Sequence, residues 1–550
     1  MTQQIDAFFK SPHHIDISGE DLLSWMFDDR SYDLGKPIYI DASNPARSIS
    51  ARQARSIIRR LVAGFCAAGL EKGDTVCLHS FNDIYYSLVF LGVIAAGGIW
   101  SGTNPGYTQY ELLHHMTLTK AKFIITEPEL LGPISLAAKQ RGIGKNNIFI
   151  FNMLGQPLPS GYLSWLTLLD KGERDWVTFN NVETAKQTTA ALLFSSGTTG
   201  LPKAAIISHH NLVAQHTLVH EVVKKPWVPT RLMCLPFFHA ASIPMAHIAP
   251  LRSGEQTYVM RRFDLEPFLQ NIERYGILEL PMVPPLIVAI IMSPLRQKYS
   301  LKSLKWAICG AAPLDSVTQS KFKLLMHEDA YLTQCWGMSE TTCIAMDFKW
   351  PEGDETGSCG RLLRNMDLKL VDDDGKDISC YDVRGEICVK GPIVISGYLE
   401  NDTANAASFR DGWFHTGDIA YCDSKSKKWY IVDRKKELIK VRGFQVSPAE
   451  LEAVLLSHPQ IVDAAVIGVS PPRKDGSEVP RAYVTRLSSP QGTMVTVEEI
   501  KKLVSTKLAS YKQLEGGVIF IDTIPKNASG KILKKILVER AKIEMREQKL

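Results

Sequence analysis

A segment suited to holding a polyphosphate lies at residues 192–203, LLFSSGTTGLPK. A short apolar run enters Ser195-Ser196-Gly197-Thr198-Thr199-Gly200, and Lys203 follows Leu201 and Pro202. Glycines let the main chain turn tightly and bring N–H groups close to an anion. The four hydroxyls add donors, and Lys203 adds a point charge. The Walker A loop requires its lysine directly after the second glycine. Pro202 stands before Lys203 here, which sets that class of NTPase aside. Taken alone, the same residues also read as an ordinary Ser/Thr/Gly turn. A second pair, His216 and His220, has the i, i+4 spacing that puts two rings on one helix face. Thr217 stands where the zinc-protease motif has its glutamate, so no metal is expected there.

The elements that must position such a loop can be read from pattern. At 550 residues the chain exceeds one compact core, and two or more domains are expected. Hydrophobic content of 45% and charged content of 22% are those of a globular protein. A net charge of +5 is too mild to argue for nucleic acid. The 10 cysteines include no Cys-x-x-Cys and no zinc spacing, which predicts reduced thiols in an intracellular setting. Asp6, Lys10 and Asp16 interrupt the stretch where a secretory signal would need apolar residues. The apolar runs 85–100 and 277–292 are short, and the second contains Glu279 and prolines. Both read as core.

Periodicity predicts helices over 51–68 and 84–96 and strands over 75–79 and 123–126. This alternation gives α/β layers with largely parallel sheets. Strands at 367–371, 385–389 and 429–432, separated by Asp/Gly turns, predict a mainly antiparallel region. Beyond Arg434 the pattern is helix 448–458, strands 464–469 and 481–486, and helix 497–508. The expected architecture is therefore α/β. A large N-terminal domain of layered α/β subdomains plus a β-rich subdomain spans 1–435. A small mobile α+β domain spans 436–550.

Further segments give the loop a context. In order, they are Pro236-Phe-Phe-His239, Gly310-Ala-Ala-Pro-Leu314, Trp336-Gly-Met-Ser-Glu340 and Gly385-Glu-Ile-Cys-Val-Lys-Gly391. Trp413-Phe-His-Thr-Gly-Asp418, Asp433-Arg434, Glu437-Leu-Ile-Lys440, Gly443-Phe-Gln-Val446 and Pro525-Lys-Asn-Ala-Ser-Gly-Lys531 follow. This ordered set, with Ser195–Lys203, closely resembles the adenylate-forming superfamily of acyl- and aryl-CoA ligases, luciferase and peptide-synthetase adenylation domains. The 4-coumarate–CoA ligase group is the nearest in appearance.

The resemblance implies an acid–thiol ligase. A small-molecule carboxylic acid is activated with ATP to an acyl adenylate, pyrophosphate leaves, and the acyl group passes to coenzyme A. Transfer to a carrier-protein phosphopantetheine and luciferase-type oxygenation are alternatives. It further implies that the glycine-rich loop holds the β- and γ-phosphates and that Glu340 anchors Mg2+, a hard ion content with one or two carboxylates. Ser339 keeps the hydroxyl of the usual Thr. Gly310, Ala311 and Trp336 would form the adenine slot, with Trp336 replacing the usual Tyr. Asp418 and Arg434 would hold the ribose, with Asp418 expected in a turn. Lys531 matches the lysine that bridges carboxylate and α-phosphate, although Lys526, Lys534 and Lys535 lie nearby. Lys436 matches the hinge. In a second domain arrangement, Lys440 and Gln445 would meet the adenylate, and Arg442 and Gly443 would meet CoA. His239 would gate the carboxylate.

The same resemblance places the acyl pocket at Ala241, Ser242, Met245, Val283, Ile308, Ala311, Cys335, Cys343 and Ile344. Hydroxycinnamate-activating relatives carry Tyr and Lys at the positions of Ala241 and Ile308. Without those partners the site has little means to reward a phenol. Unsubstituted aryl, arylalkanoic or medium-chain fatty acids are expected instead. The terminal Gln548-Lys549-Leu550 resembles the S-K-L peroxisomal address, so peroxisome and cytosol are both carried as locations.

Overall fold

The structure is a computed structural model. It describes residues 9–547 apart from positions 12, 29, 196–201, 223, 442–443, 471–477, 489–491, 493 and 529. Two seven-stranded sheets form the α/β layers. The first runs, in spatial order, Lys203–Ser208, Thr189–Ser195, Ile99–Thr103, Thr75–His79, Phe123–Thr126, Ile148–Ile150 and Leu163–Ser164. It is parallel except for the hairpin of its first two strands. Helix Tyr86–Ala95 crosses beside it with every residue buried, which explains an apolar run without helical periodicity. That helix starts later than the pattern predicts. The Asp83 carboxylate accepts the Tyr85 N–H at 2.9 Å and pairs with Arg47 at 2.6 Å, holding residues 83–85 in a turn.

The second sheet runs Tyr331–Gln334, Trp306–Cys309, Glu279–Met282, Thr230–Met233, Gln256–Val259, Pro37–Asp41 and Ser48–Ser50. All neighbours are parallel except the last pair. The carboxyl ends of its first four strands lead into residues 335–340, 310–314, 283–285 and 236–239. Loops at the carboxyl ends of parallel strands are where open α/β sheets build their sites.

The predicted antiparallel region is a six-stranded sheet containing Asp367–Val371, Gly385–Lys390, Trp413–Cys422 and Trp429–Arg434. Phe9–Lys10 adds an edge strand to it, a pairing too short to have a periodicity in the sequence. After the turn at Lys435–Glu437 the chain enters a small α+β unit. A hairpin, Ile439–Val441 with Phe444–Val446, leads to a three-stranded sheet of Ile461–Val469, Val479–Arg486 and Val518–Phe520. This unit has a core of its own, with Ile439, Leu451, Val466 and Val504 fully buried. No helix among the described residues is long and apolar enough to cross a membrane.

Candidate active site

The glycine-rich segment is the connection of a hairpin. Ser195 ends one strand and Lys203 begins the next, directly opposite each other. Ser196, Gly197, Thr198, Thr199 and Gly200 lie outside the described residues. The hairpin is tied to residues 397–399 by Ile206 N–H to Gly397 O at 3.0 Å and Leu399 N–H to Ala204 O at 2.8 Å. This docking sets the Lys203 ammonium 4.6 Å from the centre of the Tyr398 ring. Tyr398 in turn donates its O–H to Glu340 Oε1 at 2.8 Å. Ser339 and Glu340 sit on the single 3-10 turn Ser339–Thr341, and Glu340 is 8% exposed. Tyr398 therefore joins Lys203, the expected phosphate lysine, to Glu340, the expected metal carboxylate. The sequence reading missed it; its only signal was a place directly after Gly397.

No group of three or more His, Cys, Asp or Glu side chains converges as a metal cage among the described residues. One carboxylate beside the hairpin expected to hold phosphate does fit Mg2+, which keeps most of its shell for water and phosphate.

Around the expected adenine slot, Gly310 follows strand Trp306–Cys309, and a Cβ there would stand 3.0 Å from Cys335 Sγ. Ala311 has φ +69°, a left-handed backbone that costs a non-glycine residue about 1–2 kcal/mol. Strained positions of this kind cluster at ligand sites. Trp336, 6% exposed, donates its indole N–H to Asp418 Oδ2 at 2.8 Å. Asp418 is not in a turn as expected. It lies within strand Trp413–Cys422, opposite Arg434 in register. Gly417, at φ +74°, absorbs the turn signal as a local irregularity, and the strand continues. Arg434 Nε lies 3.3 Å from Asp418 Oδ1, yet that oxygen accepts no hydrogen bond among the described residues. Burial pushes the Asp418 carboxyl up, opposed by Arg434, the Trp336 N–H and Lys531.

Lys531 reaches the same place from the small domain. Its N–H donates to Asn527 Oδ1 at 2.8 Å, and Gly530 before it has φ +81°. A Cβ on Gly530 would stand 3.0 Å from Pro285 Cγ, so this loop rests on the start of helix Pro284–Met292 in the large domain. The ammonium is pushed down by burial and then by Arg434, while Glu437 and Asp418 pull it up. Charge alone could not choose among the neighbouring lysines. Lys534 pairs with Glu437 at 3.3 Å and Glu452 at 3.2 Å, and Lys526 pairs with Asp463 at 2.6 Å. Lys531 has no ion pair among the described residues.

His239 caps the turn Ala240–Ser242, its Nδ1 accepting the Ala241 N–H at 3.3 Å. Burial pushes this imidazole down to about 4. It is therefore neutral near pH 7, with its proton on Nε2, ready to donate. Ser242 is fully buried, and its Oγ has no hydrogen-bond partner among the described residues. Met245 lies on the π-helical turn Ile243–Ile248, a form frequent at functional sites. Val283, Cys343 and Ile344 are buried, while Ala241, Ile308 and Cys335 are partly so. Burial holds the Cys343 thiol up at about 12 and Cys335 well above the usual thiol range. These thiols are neutral, unreactive walls.

Lys436 is exposed in the turn 435–437, and Lys440 is exposed on the strand opposite Gln445. Arg442, Gly443 and Gln548-Lys549-Leu550 lie outside the described residues, as does the Gln445 side chain.

Comparison with known proteins gives the family of the chain. Residues 30–399 match the AMP-binding enzyme family, and residues 450–531 match the AMP-binding enzyme C-terminal domain. The phenylacetyl-CoA ligase epaB of Aspergillus niger is 50% identical over 538 residues, covering 97% of this chain and 99% of that protein. The acyl-CoA ligase azaF of Aspergillus niger is 50% identical over 535 residues, covering 96% and 100%. The crystal structure of ATP-bound MatB from Rhodopseudomonas palustris superposes with a TM-score of 0.82 at 26% identity, covering 94% of this chain and 98% of that one. The chain belongs to the AMP-binding enzyme family. Within it, the chain is an ATP-dependent ligase of the acyl-CoA type.

Proposed function

We propose that this ligase activates an unsubstituted aryl, arylalkanoic or medium-chain fatty acid as its adenylate and passes the acyl group to coenzyme A. The observation that carries the site assignment is the meeting of Lys531 with Asp418 and Arg434 across two domains. A carboxylate is a poor electrophile, so one of its oxygens first attacks the α-phosphorus of ATP and the bond to pyrophosphate breaks. Negative charge grows on the α-phosphoryl oxygens and on the leaving group, and fixed cations that meet it lower the barrier. Lys531 would stand at the α-phosphate and Lys203 at the far phosphates. Asp418 Oδ1 would accept from the ribose, with Trp336 and Arg434 holding the carboxylate in place. Mg2+, held at Glu340, would neutralise phosphate oxygens when bound. His239 Nε2–H would orient the acid.

In the second half-reaction the thiol sulfur of CoA attacks the acyl carbon and AMP departs. A rotation at Lys436 would withdraw Lys531 and present Lys440, Arg442, Gly443 and Gln445. The pocket's near wall of Ala241, Met245, Ile308 and neutral thiols favours apolar acyl groups, and the phenylacetyl-CoA ligase relative agrees with an arylalkanoic acid. An acid panel with ATP, Mg2+ and CoA, read by mass spectrometry of the thioester, tests the reading. Phenylacetic and octanoic acids are expected to be converted. Hydroxylated cinnamates outpacing every non-hydroxylated acid would refute it.

A further inference from the structure

The space lined by Met245 and Ile308 does not end at those side chains. Both line a cavity of about 570 Å³ whose rim includes the exposed Lys224, Val228 and Ser253. Two strands give its direction. Trp306–Cys309 carries Ile308 near Gly310 and Trp306 two residues back, and both side chains line the cavity. Alternate strand residues share a face, and Trp306 is about 13 Å from Gly310 along the strand. Ile344–Asp347 likewise starts near Glu340 and runs on through Asp347 to Lys349, both of which also line the cavity. The cavity therefore extends the acid site away from the nucleotide.

Most charges around it are already paired. Arg231 is held between Glu255 and Glu279. Lys225 pairs with Glu279 at 2.6 Å, and Trp227 donates to the same carboxylate at 2.9 Å. Lys349 is different. Its Nζ is buried and has no hydrogen-bond partner among the described residues. Asp347, two residues before it, accepts the Phe348 N–H at 2.7 Å and forms no ion pair with Lys349. His220, on the π-helical turn Thr217–Glu221, lines the same cavity, its Nε2 equally buried and without a hydrogen-bond partner among the described residues. Buried polar atoms without partners are costly and uncommon, and each calls for an explanation.

We propose that this cavity is the distal half of the acid site, where Lys349 Nζ, with His220, receives an oxygen acceptor at the far end of the acyl chain. The preferred acid is then a medium-chain acid with a terminal carboxylate or carbonyl oxygen. This rests on the ligase reading. It refines the apolar expectation, because the near wall is apolar and the far wall holds an unmet donor.

The test compares kcat/KM for pyrophosphate exchange with octanoic, 7-oxooctanoic and octanedioic acids. The carbonyl and carboxylate arms separate the two acceptors. At least one oxygenated acid is expected to exceed octanoic acid by about tenfold, since a site built around a polar group penalises the analogue lacking it. In Lys349→Met the three acids should fall within about twofold of one another. Octanoic acid matching both oxygenated acids in the unaltered enzyme would overturn the inference without any variant. A preference that survives Lys349→Met, or an equal fall for all three acids, would overturn it as well. Exchange with none of these acids, nor with phenylacetic acid, would instead bring down the ligase reading itself.

Discussion

Trp336 donates its indole N–H to the Asp418 carboxylate at 2.8 Å, so one wall of the expected adenine slot is fastened to the expected ribose anchor. Replacement of the usual tyrosine by tryptophan changes what the ring holds as well as its size. Trp336→Phe should raise KM for ATP by about tenfold, on the scale of one hydrogen bond to a charged group, with kcat changed less. Steady-state exchange kinetics at varied ATP measure this. An unchanged KM would show the bond to be structural only.

Lys531 is the one lysine of its tail expected to meet the α-phosphate. Lys531→Ala should lower adenylation by about a hundredfold or more, the scale of losing one charge stabiliser. Thiolysis of a supplied acyl adenylate should change far less. Equal loss in both half-reactions would remove the residue from that role.

The alkaline limb should carry the same signature. Lys531 is protonated below its folded pKa and loses its charge as pH rises through that value. Burial and Arg434 depress this pKa, so kcat/KM for ATP should begin to fall at a lower pH than an ordinary lysine would produce. Lys531→Arg, permanently charged, should lack that fall at whatever rate it retains. A limb that survives in the arginine variant would assign it to another group.

Tyr398 steadies Glu340 through its O–H. Tyr398→Phe should raise the Mg2+ concentration for half-maximal exchange by about tenfold, as removing a hydrogen bond behind a metal carboxylate does. Excess Mg2+ should recover most of the activity. Titration at fixed ATP decides this; an unaltered Mg2+ curve would show that Glu340 needs no such support.

Much of this was legible in the residues, for a physical reason. Strands Thr75–His79, Phe123–Thr126 and Asp367–Val371 fall where alternation and β-rich runs predict them, because local pattern and burial agree there. Expectation failed where a long-range contact overrides local signal. Gly417 looks like a turn but lies inside a strand that Arg434 completes from the neighbouring strand. Phe9–Lys10 acquires its strand from Asp367 and Leu368, more than three hundred residues away. Tyr398 and Lys349 lie in no motif that marks them. One is revealed by the carboxylate it touches, and the other by a buried Nζ that has no hydrogen-bond partner among the described residues.

The left-handed backbone at Ala311, in the expected adenine slot, would bear on nucleotide choice. Its conformational cost is met when the chain folds and does not recur with each turnover, so the slot greets the base already shaped. Loosening that residue with glycine would leave the fold standing. The expected damage is to discernment: guanine and adenine triphosphates would become harder for the enzyme to tell apart.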